Sequence, residues 1–131
     1  MTKHRLDPEG RPYDPARLAP KDEVDAATFA ALDLRVGRVV DAAPFPEARA
    51  PSLRLWVDFG PQLGTRASSA KIANYAPEEL VGRLVVGAVN LGARRIAGFR
   101  SEFLVLGGLE PDGTVRLLGV DADLAPGSVV A

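Results

Sequence analysis

The stretch SLRLWVDFG, residues 52–60, contains the clearest strand pattern in the sequence. Every second residue in it is apolar, and the residues between them are Arg54, Trp56 and Asp58. This period-two alternation predicts a strand that buries one face in a core and turns the other face outward. We therefore expect a β-rich fold built around this strand. The core-facing residues would be Leu53, Leu55, Val57 and Phe59.

Other short strands are predicted on both sides of this stretch. LDLRVGRVVDA (residues 32–42) alternates in the same way upstream, and Gly37 within it suggests a bulge or a bend. KIANYAPEELVG (residues 71–82) is typical of a short helix, because Pro77 suits a first helical position. EPDG (residues 110–113) predicts a turn that opens a C-terminal hairpin extension. The further predicted strands are TRASSA, RLVVGAVNL, SEFLVLGGL, TVRLLGV and SVVA.

Short strands with one helix between the third and the fourth are typical of a small closed barrel, so we predict an all-β OB fold with short helices. The fourth and fifth strands, RLVVGAVNL and SEFLVLGGL, are apolar throughout, and both of their faces should be covered. One small barrel has interior room for only one face of each strand. Cover for the other face could come from the hairpin extension, a helix or a second copy of the chain, and a homodimer is our prediction.

The N-terminal part of the chain has a different character. Residues 1–24 hold four prolines among mixed charges, which predicts an extended or disordered arm. Asp25 is a suitable N-cap for the short helix that follows. Phe29 and Leu32 share one face of that helix and could close one end of the barrel. We predict a single domain after the arm, residues 25–131.

Composition argues against several classes of function. A net charge of −1 argues against a strong unspecific nucleic-acid binder, which would carry a basic excess. His4 is the single histidine and cysteine is absent, so no histidine base or thiolate metal site is expected. Ser68–Lys71 match S-x-x-K, but the companion motifs of the penicillin-binding enzymes are absent. With no span-length apolar stretch either, we expect a cytoplasmic protein without catalysis, cofactor, metal or membrane insertion.

The predicted fold places a ligand-binding face at one rim. OB folds bind ligands on the face of strands 2 and 3 and on the loops that join strands 1–2 and 4–5. Those loops would be PFPEARAP (residues 44–51) and GARRIAGFR (residues 92–100). Alternatively, Arg94 and Arg95 only solubilise a loop, and Trp56 is a buried structural residue. The candidate ligand-binding residues are Phe45, Arg54, Arg66, Ser68, Ser69, Arg94, Arg95, Phe99 and Arg100.

Several segments resemble a known family. FAALDLRVGRVVDA, YAPEELVGRLVVGAVNL and RRIAGFRSEFLVLGG look like the tRNA-binding OB domain of stand-alone tRNA-binding proteins and of methionyl- and phenylalanyl-tRNA synthetases. FPEARAPSLRLWVDFG and RASSAKI are most similar to the CsaA-type chaperones of that family. The resemblance covers residues 27–131 and leaves the arm outside. It implies a homodimeric OB fold with unfolded polypeptides and the export machinery as partners, and an ancestral tRNA-binding rim.

Two departures from the RNA-binding members bear on the ligand. Where those members carry Ser-x-Gly-Met after the basic loop, this chain has SEFL, residues 101–104, and Glu102 would repel a phosphate. The first loop offers Phe45, Glu47 and Arg49 in place of histidine, asparagine and lysine. We therefore expect a chaperone that holds unfolded or pre-export polypeptides. An RNA-binding module that uses the arginines is the alternative, and a synthetase accessory domain is a third possibility.

Overall fold

The computed structural model describes residues 10–131, and its centre is an antiparallel sheet in the strand order β3-β2-β1-β4-β7. The far edges of this sheet approach each other, because the backbone N–H of Glu102 donates to the carbonyl of Ala67 in β3. The predicted OB-fold barrel is therefore confirmed. In chain order the elements are α1 (Ala26–Ala30), β1 (Leu34–Pro44), β2 (Leu53–Asp58), β3 (Thr65–Ala70), α2 (Pro77–Leu80), β4 (Leu84–Ala88), β5 (Arg94–Ile96), β6 (Phe99–Ser101), β7 (Leu104–Val105), β8 (Gly107–Leu109) and β9 (Val115–Leu117).

Strand β2 lies between β1 and β3 and carries the middle of the core. Its alternation is the predicted one, with Leu55 and Val57 fully buried and Arg54 and Trp56 half-buried on the other face. Phe59, just after the strand, packs edge-to-face on Phe103 with ring centroids 4.9 Å apart. The apolar face of β2 thus fixes which side chains of the strand point outward.

The irregularity in β1 lies beyond the predicted position. The register with β2 shifts between Val39 and Asp41, whereas the sequence pointed to Gly37. Gly37 is instead required by the packing of the core. A Cβ at this position would approach Val57 Cγ1 to 2.4 Å and the Phe59 ring to 2.7 Å. The shift brings Asp41 opposite Trp56 on the outer face of the sheet.

The segment predicted as the loop GARRIAGFR is a β-hairpin, so that prediction was wrong. Strands β5 and β6 pair through a two-residue turn, in which Ala97 has φ 48° and Gly98 has φ 80°. Two successive positive φ values match the right-handed twist of a tight hairpin. Alanine is disfavoured in this conformation, so the residue pair Ala97–Gly98 is not a recognisable hairpin turn in the sequence.

The apolar run SEFLVLGGL does not form the single strand that was predicted. Its residues belong in turn to β6, β7 and β8, which pair with β5, β4 and β9. The β8–β9 pair is the predicted C-terminal hairpin. The final SVVA forms only a bridge between Arg35 and Val129, supported by backbone hydrogen bonds from the 127–130 segment to β1. These partner changes depend on tertiary packing, which hydrophobic pattern alone does not encode.

The part of the predicted arm before residue 10 lies outside the described residues. Residues 10–24 form turns and extended chain, and the backbone N–H of Tyr13 donates to the carbonyl of Pro111. A Cβ at Gly113 would meet the Tyr13 ring at 3.2 Å, so the arm packs on the β8–β9 turn. Within residues 10–131 no helix is long and apolar enough to cross a membrane.

Helix α1 begins at the predicted cap but does not close the barrel. The Asp25 carboxylate accepts hydrogen bonds from the Thr28 hydroxyl and backbone N–H, which hold the pKa of Asp25 below its usual range. Phe29 and Leu32 remain 51% and 42% exposed, so the prediction that they plug the barrel end was wrong. Asn90 attaches the helix end, donating to the carbonyl of Ala31.

Candidate functional site

Three aromatic rings meet on the outer face of the barrel, and we call Phe45, Trp56 and Phe99 the aromatic cluster. The Phe99 ring lies edge-on to both others, with its centroid 5.5 Å from that of Phe45 and 5.9 Å from that of Trp56. Edge-to-face contacts of this kind are favourable. The cluster therefore joins the first loop, strand β2 and the β5–β6 hairpin into one surface.

Arg54 lies against the aromatic cluster. Its guanidinium carbon is 5.4 Å from the ring centroid of Phe45 and 6.0 Å from that of Trp56. Its Nε is buried and has no hydrogen-bond partner among the described residues. Ser69 lies directly opposite Arg54 on β3, so the two side chains share the outer face of the sheet. A cation is thus built into an otherwise apolar patch.

The hairpin turns one cross-strand pair of arginines away from the aromatic cluster. The register pairs Ile96 with Phe99 and Arg95 with Arg100. Because neighbouring positions on a strand point to opposite faces, Phe99 turns toward the cluster and the two paired arginines turn away from it. The guanidinium of Arg95 donates to the carbonyl of Gly98, and Arg95 and Arg100 are both exposed. Cross-strand like charges repel, which leaves this face ready for an anion.

A second cationic feature, the arginine pocket, lies beside the hairpin. Its volume is about 400 Å³, and its charged lining residues are Arg66, Arg100 and Glu102. Arg66 donates to the carbonyl of Val89 at 3.2 Å, and the Glu102 carboxylate accepts from the Ala67 backbone N–H at 3.1 Å. Glu102 therefore places a negative charge in a pocket that also holds two guanidinium groups.

The structure divides the nine predicted residues between these features. Two of them, Ser68 and Phe45, are only 1% and 4% exposed. The prediction that their side chains contact a ligand directly was therefore wrong. Ser68 faces the core because it pairs with Leu55, and its hydroxyl donates to the carbonyl of Phe103. Ser69, one position on, lies outward instead. The remaining predicted residues are exposed or half-buried: Arg54, Arg66, Ser69, Arg94, Arg95, Phe99 and Arg100.

Sequence reasoning left one residue of this surface undecided and missed another. The alternation in β2 predicted that Trp56 points outward, near this rim or at a dimer interface, and burial was the alternative. Trp56 is half-buried beside Phe99 and Arg54. Ser101 is buried, and its hydroxyl accepts from the backbone N–H of Ser69, which attaches the hairpin to β3. Nothing in the sequence distinguished Ser101 from an ordinary strand residue.

Comparisons with known proteins agree with this geometry. The family model described as "Putative tRNA binding domain" matches residues 34–129. The chaperone CsaA of Bacillus anthracis is 44% identical, with a TM-score of 0.79, over 84% of this chain and all of that chain. CsaA of Picrophilus torridus is 38% identical, also with a TM-score of 0.79, over 83% of this chain and all of that one.

Synthetases are among the similar proteins as well. The methionine–tRNA ligase of Methanocaldococcus jannaschii is 37% identical over 109 residues, which are 83% of this chain. Those residues cover only 16% of the ligase, so the chain spans about one sixth of that relative's length.

Proposed function

The chain belongs to the family of putative tRNA-binding domains, and from that premise we propose that it acts as a CsaA-like chaperone for unfolded or pre-export polypeptides. The observation that carries this proposal is the contact of Phe99 with Phe45 and Trp56, next to Arg54. Aromatic rings bind apolar side chains, and guanidinium groups bind carbonyls and carboxylates. Together they suit extended polypeptides of many sequences.

Two neighbouring features support polypeptide over RNA. The carboxylate of Glu102 lines the arginine pocket and opposes a phosphate there. Phe45, one of the three rings of the aromatic cluster, is only 4% exposed, so it offers no open face on which a base could stack. Polypeptide clients and the export machinery are accordingly the partners that we propose, with the cytoplasm as the place of action.

Titration of Trp56 emission tests this proposal directly. Trp56 is the only tryptophan and lies at the aromatic cluster, so its emission reports occupancy of this face. A reduced, unfolded, tRNA-free polypeptide should change the emission saturably, whereas the same polypeptide in its folded state should not. If the client is shown to bind and the emission nevertheless stays constant, the client does not bind at the aromatic cluster.

RNA is the second candidate ligand, because the family model is that of a tRNA-binding domain and the exposed face of the hairpin pairs Arg95 with Arg100. Guanidinium groups at this spacing can contact successive phosphates. With few such contacts, the affinity for RNA would be modest and strongly dependent on salt.

We also propose a homodimer, and helix α1 supports it. The helix has no buried residue, and Val24, Phe29 and Leu32 around it are exposed. Isolated helices of five residues are unstable in water, so an apolar face of this kind needs a partner surface. A second copy of the chain is the partner that we propose. For β4 the expected cover comes from the chain itself, which buries both Val85 and Val86.

Sedimentation equilibrium at micromolar concentration tests the dimer. The expected mass is twice the 13.9 kDa of one chain. Phe29→Asp should shift the equilibrium toward the monomer, because it places a charge in the proposed interface. Val81→Asp, at an exposed apolar residue after α2, is the matched control and should leave the mass doubled. A wild-type protein that sediments only as a single chain would contradict the dimer.

A further inference from the structure

We propose that Arg54 binds a carboxylate of the client, so that this face selects polypeptide segments with an acidic residue two positions from an apolar one. The inference rests on the proposed polypeptide-binding function and deepens it. No ion pair joins Arg54 to a carboxylate within the described part of the chain, although the residue is only half exposed and its Nε is buried.

The two carboxylates closest to Arg54 in the sheet register are engaged elsewhere. Asp41, opposite Trp56, accepts a hydrogen bond from the backbone N–H of Ala42 at 2.9 Å. Asp58, farther along β2, accepts from the backbone N–H of Gly60 at 2.8 Å. Arg54 therefore forms an ion pair with neither acid, nor with any other carboxylate of the described residues, and an incoming carboxylate can pair with it.

The rings around Arg54 fix how an acid would approach. The guanidinium lies near both Phe45 and Trp56, and such contacts hold the group without neutralising its charge. With Nε buried, the terminal nitrogens are the donors left for a ligand. Two parallel N–H groups match the two oxygens of a carboxylate, and desolvation by the rings strengthens the bond.

The spacing of the surface defines the segment that fits it. Arg54 and Trp56 are two positions apart in β2, which corresponds to about 6.6 Å along an extended chain. A client strand that lies over the outer face of the sheet, parallel to the axis of β2, presents its own alternate side chains at the same interval. An acidic residue on Arg54 then places the residue two positions away on the rings of Trp56 and Phe99. The recognised pattern is thus Asp or Glu, any residue, then an apolar residue.

Matched synthetic peptides test this selectivity. One peptide carries Glu-Ser-Leu repeats of the predicted pattern in an unstructured background, and its twin carries Gln in place of each Glu. We expect the wild-type protein to bind the Glu peptide about tenfold more tightly, as measured by anisotropy of a labelled peptide, because hydrogen bonds to charged groups are the stronger ones. In Arg54→Gln the two peptides should bind equally. Arg54→Lys should keep only part of the preference, because lysine lacks the paired donors.

Arg83→Gln is the control, since Arg83 is also a half-buried arginine against a ring, with its guanidinium carbon 5.4 Å from the ring centroid of Tyr75, and it should keep the full preference. Equal thermal midpoints for all variants show that folding is intact, and Arg54→Lys serves if Arg54→Gln unfolds. Equal binding of both peptides to the wild type overturns the inference and leaves the proposed function standing. Failure of both peptides to bind refutes the proposed function itself. Loss of RNA binding in Arg54→Gln with no loss of Glu preference would identify a phosphate site instead.

Discussion

Replacing Arg94 and Phe99 together by alanine is expected to weaken the binding of unfolded polypeptide about thirtyfold. Phe99 is the ring that contacts both Phe45 and Trp56, so its truncation removes the centre of the apolar surface that binds the client. Truncation of a central aromatic anchor costs about 2 kcal/mol in binding interfaces, which corresponds to this factor. The affinity is measured by anisotropy of a labelled client, because the variant alters the surroundings of Trp56.

The matched control for this variant lies on the other hairpin. Leu109→Ala with Arg116→Ala also removes one exposed apolar side chain and one exposed arginine, from β8 and β9. It should bind the client as the wild type does and should suppress client aggregation equally well. If the Arg94 and Phe99 variant does the same, the β5–β6 hairpin is not the polypeptide site.

Replacing Arg95 and Arg100 by alanine should flatten the salt dependence of RNA binding by about two units of logarithmic slope. Each exposed guanidinium that contacts a phosphate releases roughly one counterion, and the slope counts the contacts. The measurement is a series of tRNA titrations between low and physiological salt. Arg11→Ala with Arg116→Ala, two arginines paired with Asp14 and Glu110, is a control with the same change in net charge. If RNA bound tightly and independently of the salt concentration, or if the slope were unchanged in the hairpin variant, the RNA-binding site would not be this surface.

The sequence predicts the elements whose pattern is local. The alternation in β2, the cap at Asp25 and the helix start at Pro77 all follow from side-chain chemistry within a few residues. The OB fold was predicted from the number and spacing of these elements. Local physics and fold-level rules were therefore sufficient for the scaffold.

The parts that the sequence did not predict depend on tertiary contacts. The hairpin requires a left-handed Ala97, a conformation that no alanine propensity favours. The choice between Ser68 and Ser69 as the outward residue depends on the register with β2, and a slip of one position reverses it. The alternation in β2 was enough to predict that Arg54 lies on the outer face. Its contact with two rings, however, depends on the path of the first loop.

Glu102 illustrates how one residue can have two consequences. Its acidity led us to expect a surface unfavourable to phosphate. The structure adds that its carboxylate and backbone N–H both bond to Ala67, so the residue also attaches the hairpin to β3. A substitution of Glu102 would therefore remove one of these two hydrogen bonds as well as change the charge of the arginine pocket.

Trp56 emission of the wild-type protein at physiological salt, followed in parallel titrations with unfolded polypeptide and with tRNA, tests the proposed function most sharply. We expect a saturable change with the polypeptide that persists when tRNA is present in excess. With tRNA alone we expect only a weak change that disappears as salt is raised. A strong response to tRNA that the polypeptide cannot displace, together with no response to polypeptide alone, would contradict the proposed function.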